Sequence, residues 1–206
     1  SGAGTLDVAS GETLTMSGVI SSTGPLSKTN SGTLVLTGTN TYNNGTTISG
    51  GTLSVAADSN LGNASGDITF NGGTLGASSG FTTARGLVLT GAGSIDVASG
   101  ETLTASGVVS GAGALTKTNT GSLVLSGTNT YSGGTQIAAG TLSVSADANL
   151  GGASGGLTFS GGSLEATSGF STSRTMALSG AGTIDVASGE TLTASGVVSG
   201  TGALTK

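Results

Sequence analysis

One stretch of this chain returns twice at a fixed distance. SGAGTLDVASGETLTMSGVIS begins at Ser1, TGAGSIDVASGETLTASGVVS at Thr90 and SGAGTIDVASGETLTASGVVS at Ser179, each 89 residues after the one before. Residues 1–89 align with 90–178 without a gap, and 58 of the 89 positions are identical. Residues 179–206 match the second copy at 25 of 28 positions. A tandem repeat this close restricts the fold severely, because whatever one copy forms the next must form beside it. Residues 1–206 therefore read as one continuous fragment of an array. Copy one is 1–89, copy two is 90–178, and 179–206 is a partial third, so the chain is expected to begin and end inside the array.

A shorter beat lies within the unit. Gly-[Ser/Thr]-[Leu/Ile] recurs at Gly4, Gly32, Gly51, Gly73 and Gly93, at spacings of 28, 19, 22 and 20 residues. Each mark opens an alternating stretch such as Thr5-Leu6-Asp7-Val8, Thr33-Leu34-Val35-Leu36 or Thr52-Leu53-Ser54-Val55. Period-two alternation with β-branched residues specifies strands with one buried face. Asn43-Asn44-Gly45 and Asn71-Gly72-Gly73 punctuate them as turns. No window carries apolar residues at helical spacing.

Short strands near a 22-residue period predict an all-β parallel β-helix, a solenoid. Nine Gly-[Ser/Thr]-[Leu/Ile] marks imply about nine coils and a rod roughly 40 Å long. The expected inward set is Leu6, Val8, Leu14, Leu34, Leu36, Ile48, Leu53, Val55, Ile68, Phe70, Leu75, Phe81, Leu87 and Leu89, with their counterparts 89 residues on. An array of β-sandwiches is the rival, but two Phe and one Tyr per unit are too little aromatic mass for it, and it would lack the short beat.

Composition then decides what such a rod can do. Gly, Ser and Thr make up 108 of 206 residues, a content that suggests disorder until the repeat assigns Gly to turns and Thr and Ser to strand faces. Five Lys and Arg, scattered singly, cannot supply the counterion release behind nucleic-acid binding. No apolar run reaches the roughly 18 residues of a membrane helix, and no signal-peptide pattern opens the chain. With no His and no Cys, common zinc sites and most nucleophile–base pairs are absent. No catalytic, cofactor or metal residues are expected.

Each polar cluster has a structural reading beside a chemical one. Asp7…Glu12 recurs as Asp96…Glu101 and Asp185…Glu190. Two carboxylates near a turn could form a glycosidase acid–base pair. Tiling in every copy argues instead for a solvated turn, since an active site is assembled once. Asp58-Ser59-Asn60 and Asp147-Ala148-Asn149 match no calcium loop and read as Asx-turns. In Asn40-Thr41-Tyr42 and Asn129-Thr130-Tyr131 the ring is expected at a buried corner, its hydroxyl and the Asn amide serving turn backbone. Arg85 and Arg174 are expected to lay their stems over Phe81 and Phe170, and Lys28, Lys117 and Lys206 to be exposed. Outward Thr such as Thr13, Thr15, Thr39 and Thr41 fall at unequal spacing, which argues against an ice-binding array and leaves lateral hydrogen bonding between rods.

The segment from Leu26 to Tyr42, LSKTNSGTLVLTGTNTY, followed by Gly45-Thr46-Thr47-Ile48 and Gly51-Thr52-Leu53, recurs from Leu115 to Tyr131 and on to Gly140-Thr141-Leu142. It resembles the passenger-associated transport repeat of bacterial autotransporter passengers. That resemblance implies a right-handed β-helix, secretion across the outer membrane of a Gram-negative bacterium, by its own barrel or by two-partner secretion, and display on the cell surface. It also implies a structural or adhesive role as a stalk that projects a distal adhesin. Self-association is expected, lateral through the outward Thr and Ser and end-to-end through the exposed strand edges, and a host or neighbouring-cell receptor is a possible partner. A glycan-binding surface is the alternative, and an enzyme the least favoured.

Overall fold

The structure, a computed structural model, describes residues 4–206. It is a solenoid of short parallel strands, two or three to a coil, that stack into three faces. The second face is one unbroken ten-stranded sheet, from Thr13–Met16 through Thr33–Leu36, Thr52–Val55, Thr74–Ala77, Gly93–Val97, Leu115–Thr118, Thr135–Ile137, Leu157–Phe159 and Met176–Leu178 to Val198–Gly200. One strand per coil makes ten coils and an axial length of ~45 Å at the usual strand spacing.

The first face holds Gly4–Asp7, Leu26–Thr29, Thr46–Ile48, Ile68–Phe70, Leu87–Leu89 and Val109–Gly111. Isolated backbone bonds carry it further, from Thr130 N–H to Val109 O at 2.8 Å and from Gly152 N–H to Tyr131 O at 2.8 Å. It resumes as the pair Phe170–Thr172 and Leu192–Ala194. The third face opens in the same irregular way, with Thr41 N–H to Ile20 O and Asn63 N–H to Tyr42 O, both 2.9 Å. It then runs regularly from Phe81–Thr83 through Thr102–Ala105, Ser122–Leu125, Thr141–Val144, Ser163–Ala166 and Gly182–Val186 to Leu204–Thr205.

Ten coils exceed the nine marks because the marks do not fall once per coil. Gly4 opens a strand of the first face, whereas Gly32 precedes one of the second. The 28-residue interval is thus a coil and a third, and counting it as one coil loses a third at each recurrence.

The core is a thread of aliphatic side chains down the axis. Leu34, Leu53 and Leu75 stack in register on the second face, all at zero exposure, followed by Ile95. Removing each from water contributes on the order of 2 kcal/mol, repeated coil after coil. Most of the expected inward set is buried as placed. Leu14 is the exception at 38% exposed, because no coil covers it on one side; its counterpart Leu103 is fully buried. Leu6, Phe81 and Phe170 are half-buried against the core. Gly140 shows what the corners demand: its φ is +65°, and a Cβ there would lie 2.3 Å from the Gly121 carbonyl oxygen.

Candidate functional surface

Alternation turns every second strand residue outward, and strand pairing decides which of these meet. On the second face Thr13, Thr33, Thr52, Thr74, Ser94 and Thr116 are successive register partners, a column of hydroxyls over six coils. Gln136, Thr158, Ala177 and Ser199 continue it. On the third face the column is Thr102, Ser122, Thr141, Ser163, Thr183 and Thr205. On the first it is Thr5, Ser27, Thr47 and Thr69, then Val88 and Ser110. Unequal spacing in sequence therefore does not spoil the register, contrary to expectation, because corner loops of different length absorb the difference.

A second outward column lies two residues along and is mixed: Thr15, Val35, Ser54, Gly76 and Asp96 on the second face, and Thr104, Val124, Ser143, Glu165 and Asp185 on the third. Among the described residues no double Thr-x-Thr lattice forms, so the argument against ice binding rests on this column rather than on spacing. Two shallow grooves follow the hydroxyl columns. One, of ≈ 280 Å³, is lined by Thr116, Gln136, Thr158 and Thr175. The other, of ≈ 270 Å³, is lined by Ser122, Thr141, Ser163 and Thr183, with Glu165 and Asp185 at its side.

The repeated carboxylates are held by different neighbours. Glu101 Oε2 accepts from Gly80 N–H and Glu190 Oε2 from Gly169 N–H, both at 2.6 Å and both on the preceding coil. Asp96 instead accepts from Asn119 Nδ2 at 2.9 Å on the following coil, and from Thr118 Oγ1 at 3.3 Å. The two acids of one turn are thus engaged toward opposite ends of the rod, as ties between coils.

The cationic residues depart most from expectation. Lys28 and Lys117 are fully buried, at zero exposure, and only Lys206 is exposed. Both sit at inward positions of their strands, where burying the stem fills the interior. Lys117 Nζ donates to Thr118 O at 2.6 Å, Asn119 O at 2.7 Å and Ala139 O at 3.4 Å, and Lys28 repeats the set with Thr29, Asn30 and Gly50. The ammonium gathers these corner carbonyls, of which Thr29 O also accepts from Val8 N–H at 3.4 Å. Burial lowers the Lys117 amine to about 8, against a smaller pull upward from Asp96, and lowers Lys28 likewise.

Arg85 is held through its guanidinium. Its Nε donates to Asp58 Oδ1 at 2.8 Å, and the rest of the guanidinium donates to the carbonyls of Asp58, Gly62, Asn63 and Gly66. Arg174 repeats this on Asp147, Gly151, Gly152 and Gly155. Burial pushes the Asp147 carboxyl up, but hydrogen bonds from Arg174 and Thr172 and the Arg174 charge outweigh it and hold it below the usual range. The expected Asx-turns are instead the 3-10 turns Asp58–Leu61 and Asp147–Leu150. Asn60 and Asn149 tie these down: Asn60 Oδ1 accepts from Ala57 N–H at 2.9 Å while its amide donates to Gly38 O at 3.0 Å.

Tyr42 and Tyr131 are buried as expected, with one difference. The hydroxyl pairs with the Thr46 or Thr135 hydroxyl, at 2.7 and 2.6 Å, and not with turn backbone. Burial pushes the Tyr131 phenol up to about 12, and that of Tyr42 upward too. The Asn40 amide does serve backbone, donating to Asn60 O at 2.6 Å and accepting from Ile20 N–H at 2.7 Å. Among the described residues, no three His, Cys, Asp or Glu side chains are placed to hold a metal ion, and no helix is long and apolar enough to cross a membrane.

Comparison with known proteins fits this geometry. Residues 26–55 and 115–144 match the family model of the passenger-associated-transport-repeat. Over 59 residues the chain is 52% identical to the adhesin BmaC autotransporter of Brucella suis biovar 1 (strain 1330). That match covers 29% of this chain and 2% of the length of the relative. No solved structure matches the chain.

Proposed function

We infer, from a chain that carries two passenger-associated transport repeats, that it is a stretch of an autotransporter-type passenger displayed on the surface of a Gram-negative bacterium. Its role is mechanical: a stiff solenoid that carries an adhesive tip away from the cell and adheres laterally to other copies. The observation that carries this reading is the ten-stranded sheet, which crosses from one repeat into the next without a break and bears a hydroxyl column over its first six coils. Hydroxyls both donate and accept, so such a column is complementary to itself. The tiling of the acidic pair, and the use of Asp96, Glu101 and Glu190 as ties between coils, supports a segment without catalysis.

Small-angle scattering by the purified chain tests the shape and should give an elongated particle ~45 Å long. Light scattering tests association. The last coil leaves Ile184, Val186, Leu192 and Leu204 around an open apolar hollow of ≈ 260 Å³, which the core of another copy would cover end-to-end. Scattering that rises with concentration is expected, and strict monomers at high concentration would count against the reading. The hydroxyl-lined grooves favour one second reading, a surface that binds a glycan chain along the rod axis. A glycan array that returns specific binding would establish it.

A further inference from the structure

The 89-residue unit does not contain a whole number of coils. From Gly4–Asp7 the chain returns to the first face at Leu26–Thr29, Thr46–Ile48, Ile68–Phe70 and Leu87–Leu89, which is four coils. The counterpart of Gly4–Asp7, 89 residues on, is Gly93–Val97, and it lies on the second face between Thr74–Ala77 and Leu115–Thr118. Every other counterpart moves the same way. Thr13–Met16 is on the second face and Thr102–Ala105 on the third; Phe81–Thr83 is on the third and Phe170–Thr172 on the first. One unit is therefore four coils plus one of three faces, four and one third, and three units close on thirteen coils.

We infer that the unit is a one-third-turn device that shows its hydroxyl column in three directions around the rod, and that the partner these directions fit is further copies of the same chain. The inference rests on the lateral self-association proposed above and assigns its valence. The segment with Tyr42, the 3-10 turn and Arg85 interrupts the column on the third face in copy one; its counterpart with Tyr131 and Arg174 interrupts the first face in copy two. A unit of four whole coils would stack these interruptions on one side and leave a rod that binds on two. With the extra third, each of the three faces carries at least four consecutive hydroxyl-bearing partners within these ten coils. Another copy is the fitting occupant because its column has the same ~4.8 Å spacing and meets donor with acceptor at any whole-coil offset.

Two measurements on the 206-residue chain test this. Val19, Val108 and Val197 are counterparts 89 residues apart and are 64%, 48% and 68% exposed. Nitroxide labels on cysteines placed there in pairs (V19C/V108C, V108C/V197C and V19C/V197C) report three distances by dipolar spectroscopy. A one-third turn makes the first two equal and the third clearly shorter than their sum. A third distance equal to the sum would place the sites on one line and overturn the device.

The second measurement blocks one face at a time with Thr47→Arg, Thr116→Arg or Thr141→Arg, each checked for unchanged β-type circular dichroism. Each single variant should lower lateral association, seen by electron microscopy and light scattering, from bundles that grow in three directions to flat arrays. The triple variant should abolish it. Loss of all association in one single variant would mean one-sided binding and overturn the inference while self-association stands. No lateral association in the unmodified chain would overturn the assigned partner and the reading beneath it, and the label distances would still decide the turn.

Discussion

Lys28, Arg85, Lys117 and Arg174 carry charge into the interior of the rod. In Leu26-Ser27-Lys28-Thr29 the alternation itself points Lys28 inward, and the burial pattern follows that alternation; only the habit of placing charge outside pointed the other way. What sequence could not supply was the set of corner carbonyls that makes the position tolerable. Two outcomes follow. Lys117 holds its proton up to about 8 in the fold but to about 10.5 in the unfolded chain, so folding releases a proton between these values. Its stabilising share is complete above the unfolded value and is lost as pH falls through the folded one. The unfolding free energy measured in urea should therefore rise from pH 8 to pH 10, on the order of 2 kcal/mol, Lys28 adding in the same sense. Lys117→Met should flatten much of that slope. Above pH 10 the raised Tyr131 phenol works in the opposite direction.

Arg85 is the second case at this scale. Arg85→Ala strands the carbonyls of Gly62 and Gly66 and leaves Asp58 without its partner. A loss of about 3–5 kcal/mol is expected in urea unfolding. Arg85→Lys should not restore it, because an ammonium cannot reproduce the fork that spans a carboxylate and several carbonyls at once.

Strands and turns are the most legible level, because the short beat announces them. Leu34-Val35-Leu36 and Leu53-Ser54-Val55 lie where alternation puts them. Register is hidden, since it depends on corner loops whose conformations leave little mark in composition. The corners also separate two costs that one glycine count merges. Gly100 has φ +79° and open space on its side-chain side, nothing lying within 4 Å of where a methyl would stand, whereas Gly140, at φ +65°, faces the Gly121 carbonyl at 2.3 Å. Gly100→Ala should cost about 1–2 kcal/mol, the ordinary left-handed penalty. Gly140→Ala must also move a corner and should cost several-fold more, measurable as the difference between the two thermal midpoints.

At the scale of the whole molecule each coil touches only its neighbours, so stability is a sum along a line. Hydrogen exchange should reflect this: amides of Thr74–Ala77, Gly93–Val97 and Leu115–Thr118 exchange last, and those of Leu192–Ala194 and Val198–Gly200 first. Uniform protection from end to end would contradict it. The solenoid is readable from the repeat. The extra third of a coil is not, because the 28-residue interval between Gly4 and Gly32 that carries it looks like one long coil until the faces are assigned.

That extra third has a meaning for heredity. Tandem units of like sequence are prone to be gained or lost whole when DNA is copied or recombined. In a solenoid with an integral repeat, such an event changes only reach. Here each unit gained or lost also turns everything beyond it by a third of a revolution, and only the third such event restores the bearing. A lineage could re-aim whatever the array carries without altering one codon, with copy number serving as a compass.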